Sequence, residues 1–167
     1  MFRRAPFIVI AFLVLLATTV WAKGATVKIV VRGNDLAEPV IITDDTIVSR
    51  FNIWSGPSSK SCSKGAECRT DYSGNYIDFP SGIVPEPPAG QLEFEVEFFV
   101  ASARDGTVLD ETYKVRYAMI PGEAGGFFYV PMGNSFIYHG IEDNWLKSAE
   151  SWEILVRPVI ESSLQAN

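Results

Sequence analysis

The chain has 167 residues, 20 acidic and 14 basic side chains and a formal net charge of −6. That length suits one domain able to bury a core of its own. The acidic balance sets nucleic acid and anionic lipid surfaces aside as partners, because both would be repelled.

Residues 1–22 carry the three parts of a cleavable secretory signal peptide. Arg3 and Arg4 form a charged start, Phe7 to Val20 is an apolar run of 14 residues, and Val20-Trp21-Ala22 offers a cut after Ala22. A membrane-crossing helix needs roughly 20 apolar residues, so an uncleaved N-terminal anchor is the competing reading. No Cys lies at the cut, which argues against a lipid anchor. No later apolar run approaches membrane length, so no stable membrane insertion is expected after cleavage. Cleavage would remove two basic residues and leave 12 basic against 20 acidic, a net charge of −8. The working unit is then a single β-rich domain over 23–167, periplasmic or extracellular.

In chain order, 25–32 alternates and is β-branched, which predicts a first strand. Gly33-Asn34-Asp35 supplies a turn, and 39–43 a short second strand. Asp44 or Asp45 can cap a short helix reaching to about Phe51, with Ile47, Val48 and Phe51 on its buried side. Residues 55–75 form a long polar loop, a length that usually signals function or mobility. It holds both cysteines, Cys62 and Cys68, which an oxidising compartment would join as a structural disulfide. Residues 76–79 are expected as a brief strand, and the proline-punctuated 80–90 as a crossing segment.

The best-defined element is a hairpin. Leu92, Phe94, Val96, Phe98 and Val100 alternate with Glu93, Glu95 and Glu97, and Tyr113, Val115 and Tyr117 alternate with Lys114 and Arg116. Asp105-Gly106 favours a two-residue turn between them. Paired positions then sum to 211, which sets Glu97 opposite Lys114 and Glu95 opposite Arg116. The other face pairs Phe98 with Tyr113, Val96 with Val115 and Phe94 with Tyr117. A slip by one residue would drive charge into the core. The glutamates therefore read first as a solvated face. Further strands are expected at 127–131 and 135–139. A helix capped by Ser148 or Ser151 then aligns Trp152, Leu155, Val156, Val159 and Ile160 in one stripe, which Pro158 should kink or divide. These elements predict an α+β or mainly β fold: an antiparallel sheet or partial sandwich with one or two C-terminal helices packed on it.

The stretches Ser49-Arg-Phe-Asn-Ile-Trp-Ser-Gly-Pro57, Gly126-Phe-Phe-Tyr-Val-Pro131, Gly140-Ile-Glu-Asp-Asn-Trp145 and Ser151-Trp-Glu-Ile-Leu-Val-Arg-Pro158 resemble those of a group of small exported bacterial proteins of unknown function. The resemblance implies a bacterial, exported protein and transfers no catalytic residue.

Several side chains are candidates for a site. His139 is the single histidine and titrates near neutrality. With Glu142 and Asp143 beside it, and Ser135 nearby, it could serve a small hydrolase, although no Gly-x-Ser-x-Gly elbow is present. Trp54, Tyr72 and Tyr76 flank the cysteine loop and could offer an aromatic platform to a glycan or protein; closure of the core by Trp54 is the simpler role. Glu142, Asp143 and Asn144 could offer oxygens to calcium but lack the spacing of its loop, and a helix N-terminus explains the acids equally well; no metal or other cofactor is implied. The leading expectation is a non-catalytic binding or envelope-accessory module using the 55–75 loop. A hydrolase built on His139, or a purely structural subunit, are the competitors.

Overall fold

The computed structural model describes residues 24–56, 60–61, 69–70, 74–85, 87, 89–102, 106–107, 113–132 and 141–165. The proposed signal peptide, Cys62, Cys68, Tyr72, Ser135 and His139 lie outside them, as does the strand expected at 135–139. Among the described residues no helix is long and apolar enough to cross a membrane.

The strands are β1 (Thr26–Arg32), β2 (Val40–Ile42), β3 (Lys60–Ser61), β4 (Arg69–Thr70), β5 (Ile83–Val84), β6 (Leu92–Val100), β7 (Tyr113–Met119), β8 (Gly126–Val130) and β9 (Asn144–Lys147). The helices are α1 (Asp45–Val48), α2 (Glu150–Leu155) and α3 (Arg157–Gln165), with a 3-10 turn at Phe79–Ser81. Seven strands form one antiparallel sheet in the order β2-β1-β6-β7-β8-β9-β5, and β3 pairs with β4 in a separate ladder. The fold is α+β: the layer packed on the sheet is helical, built mainly from α2 and α3, which together make one bent helix.

The β6–β7 register is the one the alternation predicts, from Phe94 opposite Tyr117 to Glu97 opposite Lys114 and Phe98 opposite Tyr113. Its tip differs from a two-residue turn. Ser102 N–H donates to the Thr107 carbonyl at 2.8 Å, a pairing that leaves the 211 register. Gly106 sits there with φ 70°, which glycine adopts without steric cost.

Local chemistry explains most of the other elements. Asp44 caps α1, its Oδ1 accepting from the Thr46 N–H at 2.8 Å. Val48 and Phe51 are buried behind it. Four expectations need correction. Residues 76–79 contribute one bridge, Ile77 with Ser148, before the 3-10 turn. The segment read as a crossing holds β5, paired with β9. Glu142-Asp143-Asn144 leads into strand β9 and not into a helix. The N-cap of α2 is Ala149, without a side-chain cap; the Ser148 hydroxyl instead donates to Glu153 and accepts from the Gly126 N–H at 2.9 Å. Pro158 does divide the helix, which turns at Val156 and restarts at Arg157. There the ring occupies the first turn, where its missing N–H breaks no helical bond.

The core lies between the sheet and the bent helix. Phe94, Val96 and Phe98 of β6, Val115 and Tyr117 of β7 and Phe128 of β8 meet Trp152, Val156 and Ile160, all essentially inaccessible. A Cβ on Gly126 would lie 2.5 Å from the Tyr117 ring. Glycine at this position lets that ring pass and its hydroxyl reach Glu153, to which it donates at 2.8 Å.

Candidate binding surface

Period-two geometry sends the alternate side chains of every strand to the opposite face. On that face, β1 presents Lys28 and Arg32, β6 presents Glu93, Glu95 and Glu97, and β7 presents Lys114 and Arg116. The outer strands add Tyr129 and Trp145. In contrast to the core face, these side chains are half-buried or exposed: Arg116 keeps 47% of its side-chain surface, Glu93 44% and Glu95 50%.

The charges are matched across the strands. Among the charged groups Glu97 is the exception to exposure, at 7%; Val30 and Ala118, on the same face by register, are buried as well. Glu97 accepts from Arg32 Nη1 on one side and pairs with Lys114 Nζ at 2.6 Å on the other. Burial pushes its carboxyl pKa up, but the hydrogen bonds from Lys114 and Arg32, with their charges, outweigh this and hold it below the usual glutamate value. Its contribution is therefore present above the unfolded pKa and lost as pH falls through the lower folded value. Replacing Glu97 by Gln should cost about 1 kcal/mol and flatten the acid limb of a stability-against-pH curve between about pH 5 and 3. Urea titrations across that range would measure both effects.

Arg116 does not pair with Glu95 directly opposite it; it reaches diagonally to Glu93 at 3.4 Å. Its guanidinium lies over the Tyr129 ring at 4.1 Å and 5.4 Å from the centre of Trp145. The two rings stand 5.3 Å apart and tilted by 53°. Such cation–π contacts contribute about 0.5–1 kcal/mol at exposed sites. The Tyr129 hydroxyl donates to Asp143 Oδ1, which raises its pKa. Asp143 holds φ 62° at the turn into β9, a conformation that Asp tolerates better than most residues. Beside Arg116 the face opens into a shallow groove of about 460 Å³ lined by Arg32, Gly33, Asn34, Glu93, Phe94 and Glu95.

The structure distributes the sequence-derived candidates widely. Tyr76 is fully buried, stacked on Phe98 at 4.5 Å, so its ring is part of the core. Trp54 is half-buried against the core, its Nε1–H donating to the Gly24 carbonyl at 2.8 Å. Asp143 sits on the open face with Tyr129. Glu142 and Asn144 are tied together, Asn144 Nδ2 donating to the Glu142 carbonyl at 2.8 Å. Among the described residues no group of three or more His, Cys, Asp or Glu side chains is arranged to hold a metal ion. The aromatic pair that does share a surface is Tyr129 and Trp145, which no sequence motif marks. The available signal was its outward position in strands whose inward residues are Phe128 and Leu146.

Comparison with protein-family models, with curated proteins and with solved structures finds no match for this chain.

Proposed function

We propose that this chain is an exported, non-catalytic binding module of the bacterial envelope, and that its contact surface is the open face of the sheet. One observation carries the reading: the bent helix covers one face, while the other gathers Arg116, Tyr129 and Trp145 into a cation–aromatic cluster beside a groove. Aromatic and arginine side chains are the types that dominate binding surfaces. A catalytic centre calls for a concave site joining an acid to a base; the open face is broad, and Arg32, Glu93, Glu97, Lys114 and Arg116 at its centre are engaged in ion pairs. The test compares wild-type protein with Trp145→Ala and Arg116→Glu for retention of defined envelope fractions, with circular dichroism as the folding control. Loss of retention in both folded variants supports the reading. Equal retention by all three removes it.

Export makes a second, separate expectation. An oxidising compartment would join the two cysteines of this one short segment. An exported product should therefore carry a Cys62–Cys68 bridge. Peptide mapping without reductant should recover the linked pair, and a fusion of an export-dependent reporter after residue 22 should be active. Two free thiols and an inactive fusion would remove both export and bridge.

A further inference from the structure

We propose that the open face takes a neutral, ribbon-like β-1,4-linked oligosaccharide laid across the strands, from the groove beside Gly33 to Trp145; this rests on the open-face reading above. A single register row crosses the sheet: Arg32, Glu95, Arg116, Tyr129, Trp145 and Val84 stand opposite one another in turn. Six strands at about 4.8 Å spacing make that row about 24 Å long, a track for an extended ligand and more than a monosaccharide needs.

The row changes chemistry along its length in a way that suits sugars. At the groove end, Arg32 and Arg116 donate, Glu93 and Glu95 accept, and Asn34 does both. A hydroxyl also does both, so vicinal hydroxyls can use either set. Two cations and two anions cancel, so the groove favours no net charge, while the −6 of the whole chain repels polyanions. At the far end, Tyr129 and Trp145 are half-buried rings at 5.3 Å. Equatorial substitution leaves the two faces of a β-1,4-linked pyranose lined with C–H groups, which pack on aromatic rings while the edge hydroxyls stay free to hydrogen-bond. An extended peptide fits less well. Behind the stretch from Arg32 to Trp145, strands β1, β6, β7, β8 and β9 each have a ladder neighbour on both sides, so a peptide laid there would find few of the main-chain partners that edge-strand recognition supplies.

The experiment uses the full chain, titrated with cellohexaose and with chitohexaose by calorimetry and tryptophan fluorescence. Saturable binding of at least one is expected. Trp145→Ala should weaken it about tenfold or more, as loss of a stacked ring implies. Glu95→Gln, which keeps the side-chain shape, should weaken it less. Ile154→Ala, exposed on the helical side, should leave it unchanged and serves as the control for folding and handling. If wild-type protein binds neither hexasaccharide, the glycan proposal is overturned. If Trp145→Ala still loses envelope proteins that wild type retains, the open-face reading stands with a polypeptide occupant. If Trp145→Ala alters neither sugar binding nor retention, both readings fall.

Discussion

Replacing Trp152 by alanine is expected to destabilise the protein by about 3–5 kcal/mol, the range for removing a large aromatic from a core. Trp152 is fully inaccessible. Its ring lies 4.9 Å from Phe128, 5.5 Å from Tyr117 and 6.1 Å from Phe98 across the sheet, and 5.4 Å from Phe51, just beyond α1. It therefore joins three parts of the chain distant in sequence, and the cavity left behind has rigid strands on one side. Small domains hold only about 5–15 kcal/mol in total, so the loss is a large share. The midpoint of thermal unfolding should drop by about 10 °C or more. Trp152→Phe, which keeps most of the volume, should cost clearly less. Urea denaturation of the three proteins measures this, and a Trp152→Ala cost below about 1 kcal/mol would mean that α2 does not seal the core.

The sequence disclosed those parts of the fold where a local period and an apolar pattern agree. In β6 and β7, strict alternation of glutamate with large apolar residues allows one register only, and the charges on the partner strand confirm it. In β8, Phe127, Phe128, Tyr129 and Val130 are all apolar or aromatic. The strand is legible, but its two faces are not, because alternation carries no contrast. Nothing in that pattern marks Tyr129 as a surface residue. In β9 the difficulty is shortness. Asn144–Lys147 follows two acids that look like a helix start, and Asp143 in a left-handed conformation is what turns the chain into a strand instead. Without β9, Trp145 has no assigned face and the cluster with Arg116 cannot be foreseen. Tyr76 errs in the other direction. It adjoins a polar loop in sequence, but its neighbours in space are Phe98 and Phe128, which only tertiary structure brings to it.

Arg157 should be nearly as sensitive as Trp152, for an electrostatic reason. It is 6% exposed. Its guanidinium donates to Glu153 at 2.9 Å, to Glu161 at 2.8 Å, and to the carbonyls of Ile120 at 2.8 Å and Gly125 at 3.1 Å. One side chain thus ties the restarted helix to the loop between β7 and β8. Arg157→Met should cost about 3–5 kcal/mol, because it strands the largely buried Glu153 carboxylate without its counter-charge. Lysine should rescue little, since a point charge cannot reproduce four fixed donor directions. The buried hydroxyl that donates to the same carboxylate governs the alkaline limb. Burial pushes the Tyr117 hydroxyl pKa far above the usual value near 10, and the charge of Glu153 and donation to it push the same way; the Arg157 charge works against them. The folded state therefore holds the tyrosine proton more tightly than the unfolded chain. Its contribution is complete below about pH 10 and is lost as pH rises beyond that. Tyr117→Phe should lower stability at pH 7 by about 1 kcal/mol yet flatten the decline between about pH 9.5 and 11. Thermal melts across that range decide it: a decline in Tyr117→Phe as steep as in wild type would assign the alkaline loss to other groups, whereas a flattened one places it on the hydroxyl that Gly126 allows to reach Glu153.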